Sequence, residues 1–293
     1  MKKSIFQNRW LPYLLIAPQL IVVIVFFFWP AFDTLRLAVF QTSPFGDRQV
    51  FVGLKNFTDL LSSPEYYRSV LHSFIFSLGV TFLGLTFSLF LATLANQKIS
   101  GLPFYRTAVL WTYGIAPPVS GVIWLFIFHP SYGILTYLLS RITSYEFNWL
   151  LKGWVAMALV IFAATWAHLG YNIAFFLAAL QTIPKSVTEA AKVDGASGFS
   201  LFRWITFPLL SPVTFFLFIM NMVFSFFETF GIIHAVTQGG PGDTTTIMVY
   251  KTYVDGFVHL RMGSSAAQSA ILMALVIFLT VLQFRYTERK VFY

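Results

Sequence analysis

Five charged residues sit close together between Pro184 and Pro208: Lys185, Glu189, Lys192, Asp194 and Arg203, flanked on both sides by long uncharged runs. Charges of both signs in so short a polar island suit ion-pair docking to a partner at a membrane face. They do not suit bond making. The chain has no His-Glu-x-x-His, no Walker phosphate loop, no Gly-x-Ser-x-Gly and no carboxylate pair at a defined spacing. Its five histidines, His72, His129, His168, His234 and His259, are scattered. With no cysteine, disulfides, thiolate metal sites and cysteine nucleophiles are excluded. No catalytic residue, metal site or cofactor is expected.

The island carries its own folding code. Pro184 ends the preceding helix, Ser186 and Glu189 fit a capping box, and Gly195 supplies the left-handed residue that ends many helices. A short helix is predicted from Val187 to Asp194, then an apolar-leaning turn from Phe199 to Thr206. Pro208 and Pro212 are expected to restart the chain into the bilayer.

The surrounding composition makes this an integral membrane protein. Apolar residues make up 57% of the 293, charged residues 10%, and Phe occurs 35 times. Uncharged windows cover 10–32, 69–97, 107–140, 153–184, 204–227 and 262–284, each exceeding the roughly 20 residues that cross a hydrocarbon core. The fold class is therefore all-α with six transmembrane helices. The first window follows Lys2, Lys3 and Arg9 but is too long for a signal-peptide core and lacks a small-x-small cleavage site, so it reads as a retained span. Residues 229–242 are too few and too glycine-rich for a seventh span and suit a re-entrant segment.

Basic residues set the orientation. With the N-terminus inside, 11 of the 19 Lys and Arg lie in the inner segments, whose net charge is +8 while the outer segments sum to zero. Both termini and the 184–208 loop are then cytoplasmic. The pI near 9.7 reflects this asymmetry rather than nucleic-acid binding.

Within the spans, polar residues mark candidate path positions: His168 and Asn172 share a helix face at i and i+4, and Asn221 and Glu228 share one at i and i+7. Each has an alternative reading as a helix-to-helix hydrogen bond, and Glu228 also fits the outer interface. Pro117 and Pro118 must kink or break the third span at membrane depth, which fits either a cavity lining or a structural kink.

Glu189-Ala190-Ala191, three residues, Gly195, nine residues, Ile205 and Pro208 resemble the cytoplasmic EAA loop of binding-protein-dependent ABC importer permeases, with Phe207 where that family has Leu. The resemblance implies a type I importer permease fold in which Glu189, Ala190, Ala191, Asp194 and Gly195 form a coupling helix seated on an ATPase subunit. Phe51-Val52-Gly53-Leu54-Lys55-Asn56-Phe57 resembles the family's Gly-Leu-x-Asn-Phe segment and reads as an interfacial helix. Thr237-Gln238-Gly239-Gly240-Pro241 resembles its Thr-x-Gly-Gly-Pro loop, implying Gly239, Gly240 and Pro241 as contacts for the binding protein.

By the same resemblance, residues 1–68 hold the first span and an outer loop, 69–284 the five-helix permease core and 285–293 a cytoplasmic tail. The implied partners are a second homologous permease, a homodimeric cytoplasmic ABC ATPase, a periplasmic substrate-binding protein and the lipid of a bacterial inner membrane. Asn8 to Leu20, Ala178 to Gln181, Ser264 to Ser269 and Gln283 to Tyr286 are similar to the glycerol-phosphate branch of the family. The implied cargo is sn-glycerol 3-phosphate, with its phosphodiesters as a further candidate; a maltose-like oligosaccharide, or an ion-driven secondary transporter, are the alternatives.

Overall fold

The computed structural model describes residues 10–43, 48–97, 101–143 and 148–290, the side chains of 286–290 excepted. The basic residues Lys2, Lys3, Arg9 and Lys98, and the side chains of Arg289 and Lys290, therefore lie outside the described residues. Two compact units are present, Met1–Ser63 with Thr252–Ile271, and Pro64–Lys251 with Leu272–Tyr293.

In the first unit, α1 (Leu11–Leu37) buries none of its residues and passes through one π-helical turn at Ile24–Phe28. A hairpin of β1 (Phe40–Thr42) and β2 (Gln49–Phe51) follows, then α2 (Lys55–Leu61). The predicted interfacial helix thus begins four residues late, because Gln49 to Phe51 pair as a strand and Gly53 turns the chain at φ +59°. Asn56 explains its place in the Gly-Leu-x-Asn-Phe segment: its amide donates to the carbonyls of Ala38 and Phe40, both at 2.9 Å.

The second unit is built on α3 (Pro64–Ala95), α7 (Gly153–Thr182) and α9 (Gly198–Phe227). Leu85, Ala92, Ile173, Phe176, Leu180, Leu210 and Leu217 form its core. In a bilayer, burying apolar side chains gives little drive for helix association, so close packing and internal polar bonds must do the work. Both are present. Gly79 of α3 receives Ile161 of α7, and Ser77 of α3 bonds Ser225 of α9.

The third apolar window is divided. α4 (Leu102–Leu110) runs into a 3-10 turn at Trp111–Gly114, and α5 (Pro117–Phe128) starts afresh at 107° to it. Pro117 and Pro118 occupy the first turn of α5, where no N–H is needed. So the expected break at these prolines is present, but the expected span to residue 140 is not. α5 ends at Phe128 and a separate helix, α6 (Ile134–Ile142), follows Pro130 and Gly133. Among the described residues, five helices are long and apolar enough to cross a membrane, and the bent α4–α5 pair, counted as one span, is the sixth.

The break is seated on α7. A Cβ at Gly170 would meet the Thr112 hydroxyl and the Tyr113 amide at 2.7 Å, and the Gly170 N–H donates to Thr112 Oγ1 at 3.1 Å. Gly170→Ala is expected to lower stability by about 1–3 kcal/mol, read as a lower Tm of the detergent-solubilised protein; an unchanged Tm would show that the turn gives way freely.

The segment expected to be re-entrant contains α10 (Phe230–Val236), packed backbone-close on α5: a Cβ at Gly231 would meet Pro118 at 2.4 Å, and one at Gly121 would meet Ile232 at 3.1 Å. The chain ends through α11 (Met248–Tyr253), a π-helical turn at Val254–Val258 and α12 (Met262–Lys290). Gln268, the polar residue near the start of the last span, is fully buried and donates to Asp255 at 2.6 Å.

Candidate functional site: a coupling helix and an aromatic stripe

The polar island folds as α8 (Lys185–Val193), two residues earlier at its start than the sequence predicts. The expected capping box is absent. Pro184 itself is the N-cap, no side chain caps the helix, and Ser186 lies inside the first turn. Proline fixes the extended entry that a serine cap would otherwise supply.

The other end follows the code. Gly195 takes φ +90°, its N–H reaches Lys192 O at 3.1 Å, and the Ala196 N–H reaches Ala191 O at 2.9 Å. That is a Schellman stop. It turns the chain back so that Ala191 is 8% exposed, while Glu189, Ala190, Asp194 and Gly195 remain exposed. Val193 and Phe199 stand out at 87% and 77%. An exposed acid among small and apolar side chains is a docking face.

α9 departs from expectation. Pro208 and Pro212 do not restart the chain, because one helix runs from Gly198 to Phe227. A π-helical turn at Phe202–Thr206 shifts the bonding to five residues, with Phe207 N–H on Phe202 O, and so absorbs the donor that Pro208 lacks. The Ser211 hydroxyl donates to Pro208 O at 2.7 Å, the carbonyl left open by Pro212. A four-residue turn, residues 194–197, links α8 to the unbroken helix of α9.

The candidate path residues separate into two groups. Asn172 and Asn221 are fully buried and exchange amide hydrogen bonds of 2.9 and 2.8 Å, above Gly84, whose missing Cβ leaves the pair its space. They join α3, α7 and α9 at one point. The Asn221 amide also donates to Leu217 O at 2.7 Å.

His168 stacks between Phe224 (4.0 Å) and Tyr171 (4.7 Å), with its Nε2 buried and without a hydrogen-bond partner among the described residues. Glu228 is exposed at the C-cap of α9 and interacts electrostatically with Tyr171. His168, Tyr171 and Phe224 thus form one stacked group, and among the described residues no polar bond joins Asn172 or Asn221 to it.

Sequence reasoning passed over the rings between them. Tyr171 stands 6.0 Å from Tyr113 and 4.8 Å from Phe175, which stands 5.3 Å from Phe216. Tyr171, Ala174, Phe175 and Ala178 are the partly or fully exposed stripe of a helix otherwise mostly buried. In an apolar span every face is apolar, so hydropathy gave no sign of this stripe; only the i, i+3, i+4, i+7 recurrence of small and aromatic residues could have.

The Thr-x-Gly-Gly-Pro loop is tied internally. Gly239, at φ +84°, has no room for a Cβ beside Thr246 and Tyr250. Thr245 Oγ1 donates to Gly240 O at 2.9 Å and accepts from Thr237 Oγ1 at 2.7 Å. Gly239 is buried and Gly240 and Pro241 half-buried, so the tip exposes Gln238, Gly242 and Asp243 instead. The glycines shape the loop, and its neighbours face outward.

Comparison with known proteins agrees with this geometry. The chain is 50% identical, over all 293 residues of both, to the sn-glycerol-3-phosphate transport system permease protein UgpA of Rhizobium meliloti (strain 1021). It is 46% identical over 291 residues to that of Salmonella typhi, covering 99% of this chain and 98% of the relative. Among solved structures, a bacterial ABC transporter involved in the import of the acidic polysaccharide alginate has a chain of the same fold, with TM-score 0.79 at 20% identity over 97% of this chain and 96% of that one. Residues 5–293 match the family model described as the binding-protein-dependent transport system inner membrane component, and the chain belongs to that family.

Proposed function

We propose that this chain is one of two homologous membrane subunits of an ATP-driven importer of sn-glycerol 3-phosphate, working with a homodimeric cytoplasmic ATPase and a periplasmic binding protein. The observation that carries the transport role is α8, an exposed Glu189 helix stopped by Gly195 and joined through continuous backbone to α9. The cargo rests on the relatives, which carry that substrate in their names along their full length. Both termini and α8 are cytoplasmic in this reading, following the basic residues. ATP-driven closure of the ATPase pulls α8, and the exposed tip Gln238, Gly242 and Asp243 meets the binding protein.

The aromatic stripe is the surface along which the cargo passes this chain. Tyr113, Tyr171 and Phe175 offer faces to the carbon side of a polyol, and His168 backs Tyr171 by stacking on it. Neither 153–182 nor 204–227 contains Lys or Arg, and Glu228 adds a carboxylate at the end of the second. A phosphate dianion therefore faces away from this chain, toward cations of the second membrane subunit or the binding protein.

The test uses the assembled complex with binding protein loaded with glycerol 3-phosphate. Loaded binding protein is expected to stimulate ATP hydrolysis, and Tyr171→Ala is expected to lower uptake about tenfold, the loss of one stacking contact of about 1–1.5 kcal/mol. Equal stimulation by maltose-loaded and glycerol-phosphate-loaded partners would remove the cargo, and unchanged uptake by the Tyr171 variant would remove the stripe.

A further inference from the structure

The connection between α5 and α7 is used by no step above. Both neighbours are apolar segments at membrane depth, so residues 129–152 must turn at a water–lipid boundary. The 30 residues of α7 hold this boundary about 45 Å from α8. It is the face opposite the coupling helix.

α6 exposes Ile134, Leu138 and Ile142 at 65%, 48% and 80%, an i, i+4, i+8 stripe. Its other side is fixed: Thr136 Oγ1 and the Trp149 indole both donate to Phe128 O, at 3.1 and 2.9 Å. Leu151 and Trp154, at the start of α7, are exposed at 78% and 70%, and tryptophan collects at headgroup depth.

Beside the stripe lies a cavity of about 630 Å³ lined by Ser131, Tyr132, Tyr137, Ser140 and Asn148, a size typical of small-molecule sites. His129 stacks on Tyr132 at 3.6 Å and holds that wall. Helical spacing sets Arg141 between the stripe and Tyr137; its Nη2 donates to Tyr137 Oη at 3.1 Å, and its guanidinium lies 5.2 Å from that ring. The remaining guanidinium donors suit a phosphate. Residues 129–152 hold Arg141 and Lys152 against a single acid, Glu146, which is outside the described residues.

We propose that α6 lies in the outer surface of the bilayer and that the cavity beside it holds the headgroup of an anionic phospholipid. The phosphate rests on Arg141, the headgroup hydroxyls meet Ser131, Tyr132, Ser140 and Asn148, and the acyl chains run along Ile134, Leu138 and Ile142. This site needs only that α5 and α7 cross a membrane, and it is independent of the cargo.

The test is native mass spectrometry of the purified complex from micelles containing equal amounts of phosphatidylglycerol and phosphatidylcholine. The wild-type complex is expected to retain phosphatidylglycerol preferentially. Arg141→Gln should cut that retention about fivefold, Arg141→Lys should recover part of it, and Leu138→Ser should weaken retention of both lipids. The deacylated headgroup, glycerophosphoglycerol, should not displace the lipid. Equal retention of the two lipids, an Arg141→Gln complex that keeps its phosphatidylglycerol, or displacement by the free headgroup would overturn the proposal, the last by making this a site for soluble polyol phosphates. So would a photo-cross-link from position 138 that captures the binding protein or the second membrane subunit in place of lipid.

Discussion

Replacing Glu189 with alanine is expected to reduce ATP-driven uptake about 10- to 100-fold while ATP hydrolysis continues and the chain still inserts. The sequence allows Glu189 two roles, capping its own helix or reaching a partner, and the structure removes the first. Because Pro184 is the N-cap and no side chain caps α8, removing the carboxylate removes no cap bond. Alanine is also the best helix former. Loss of function without loss of fold is the signature of a docking contact, checked by measuring uptake and ATP hydrolysis in the same proteoliposomes. Unchanged uptake would defeat the coupling role of α8.

Breaking the amide pair should instead destabilise the whole second unit. Asn172→Leu leaves Asn221 with part of its buried amide unsatisfied, at a cost of about 1–3 kcal/mol, and Asn221→Leu does the same to Asn172. The double variant removes both polar groups from a site that is fully buried. It should be more stable than the sum of the singles predicts, with a coupling of about 0.5–3 kcal/mol, read from thermal or denaturant unfolding in detergent. Strict additivity would mean that the pair does not hold α7 to α9. If the lock is real, the singles lower uptake only in proportion to folded protein, whereas Tyr171→Ala lowers it per folded molecule.

The sequence carried the spans and the short polar helix before Gly195 because both are written in local chemistry. Charge-free windows of membrane length need no tertiary information, and Gly195 needed only its left-handed preference to be read as a helix stop. What stayed hidden depends on neighbours. Ser186 and Glu189 match a capping box that Pro184 pre-empts, and Pro208 and Pro212 look like breaks until a π-helical turn and the Ser211 hydroxyl supply what they lack. Asn172 and Asn221 are 49 residues apart in the chain, and only packing over Gly84 shows that each is the other's partner. The aromatic stripe escaped for the opposite reason: in a span where almost every residue is apolar, an exposed Phe175 and a buried Phe176 look alike until the helices are assembled.

The central claim is that this chain passes sn-glycerol 3-phosphate across a membrane at the expense of ATP hydrolysed elsewhere. The most direct measurement is uptake of labelled sn-glycerol 3-phosphate, with maltose in parallel, into proteoliposomes holding this chain with its second membrane subunit, ATPase and binding protein. The account predicts ATP-dependent accumulation of glycerol 3-phosphate and none of maltose. Accumulation of maltose alone would contradict the cargo, and glycerol phosphate uptake that continues without ATP would contradict the mechanism.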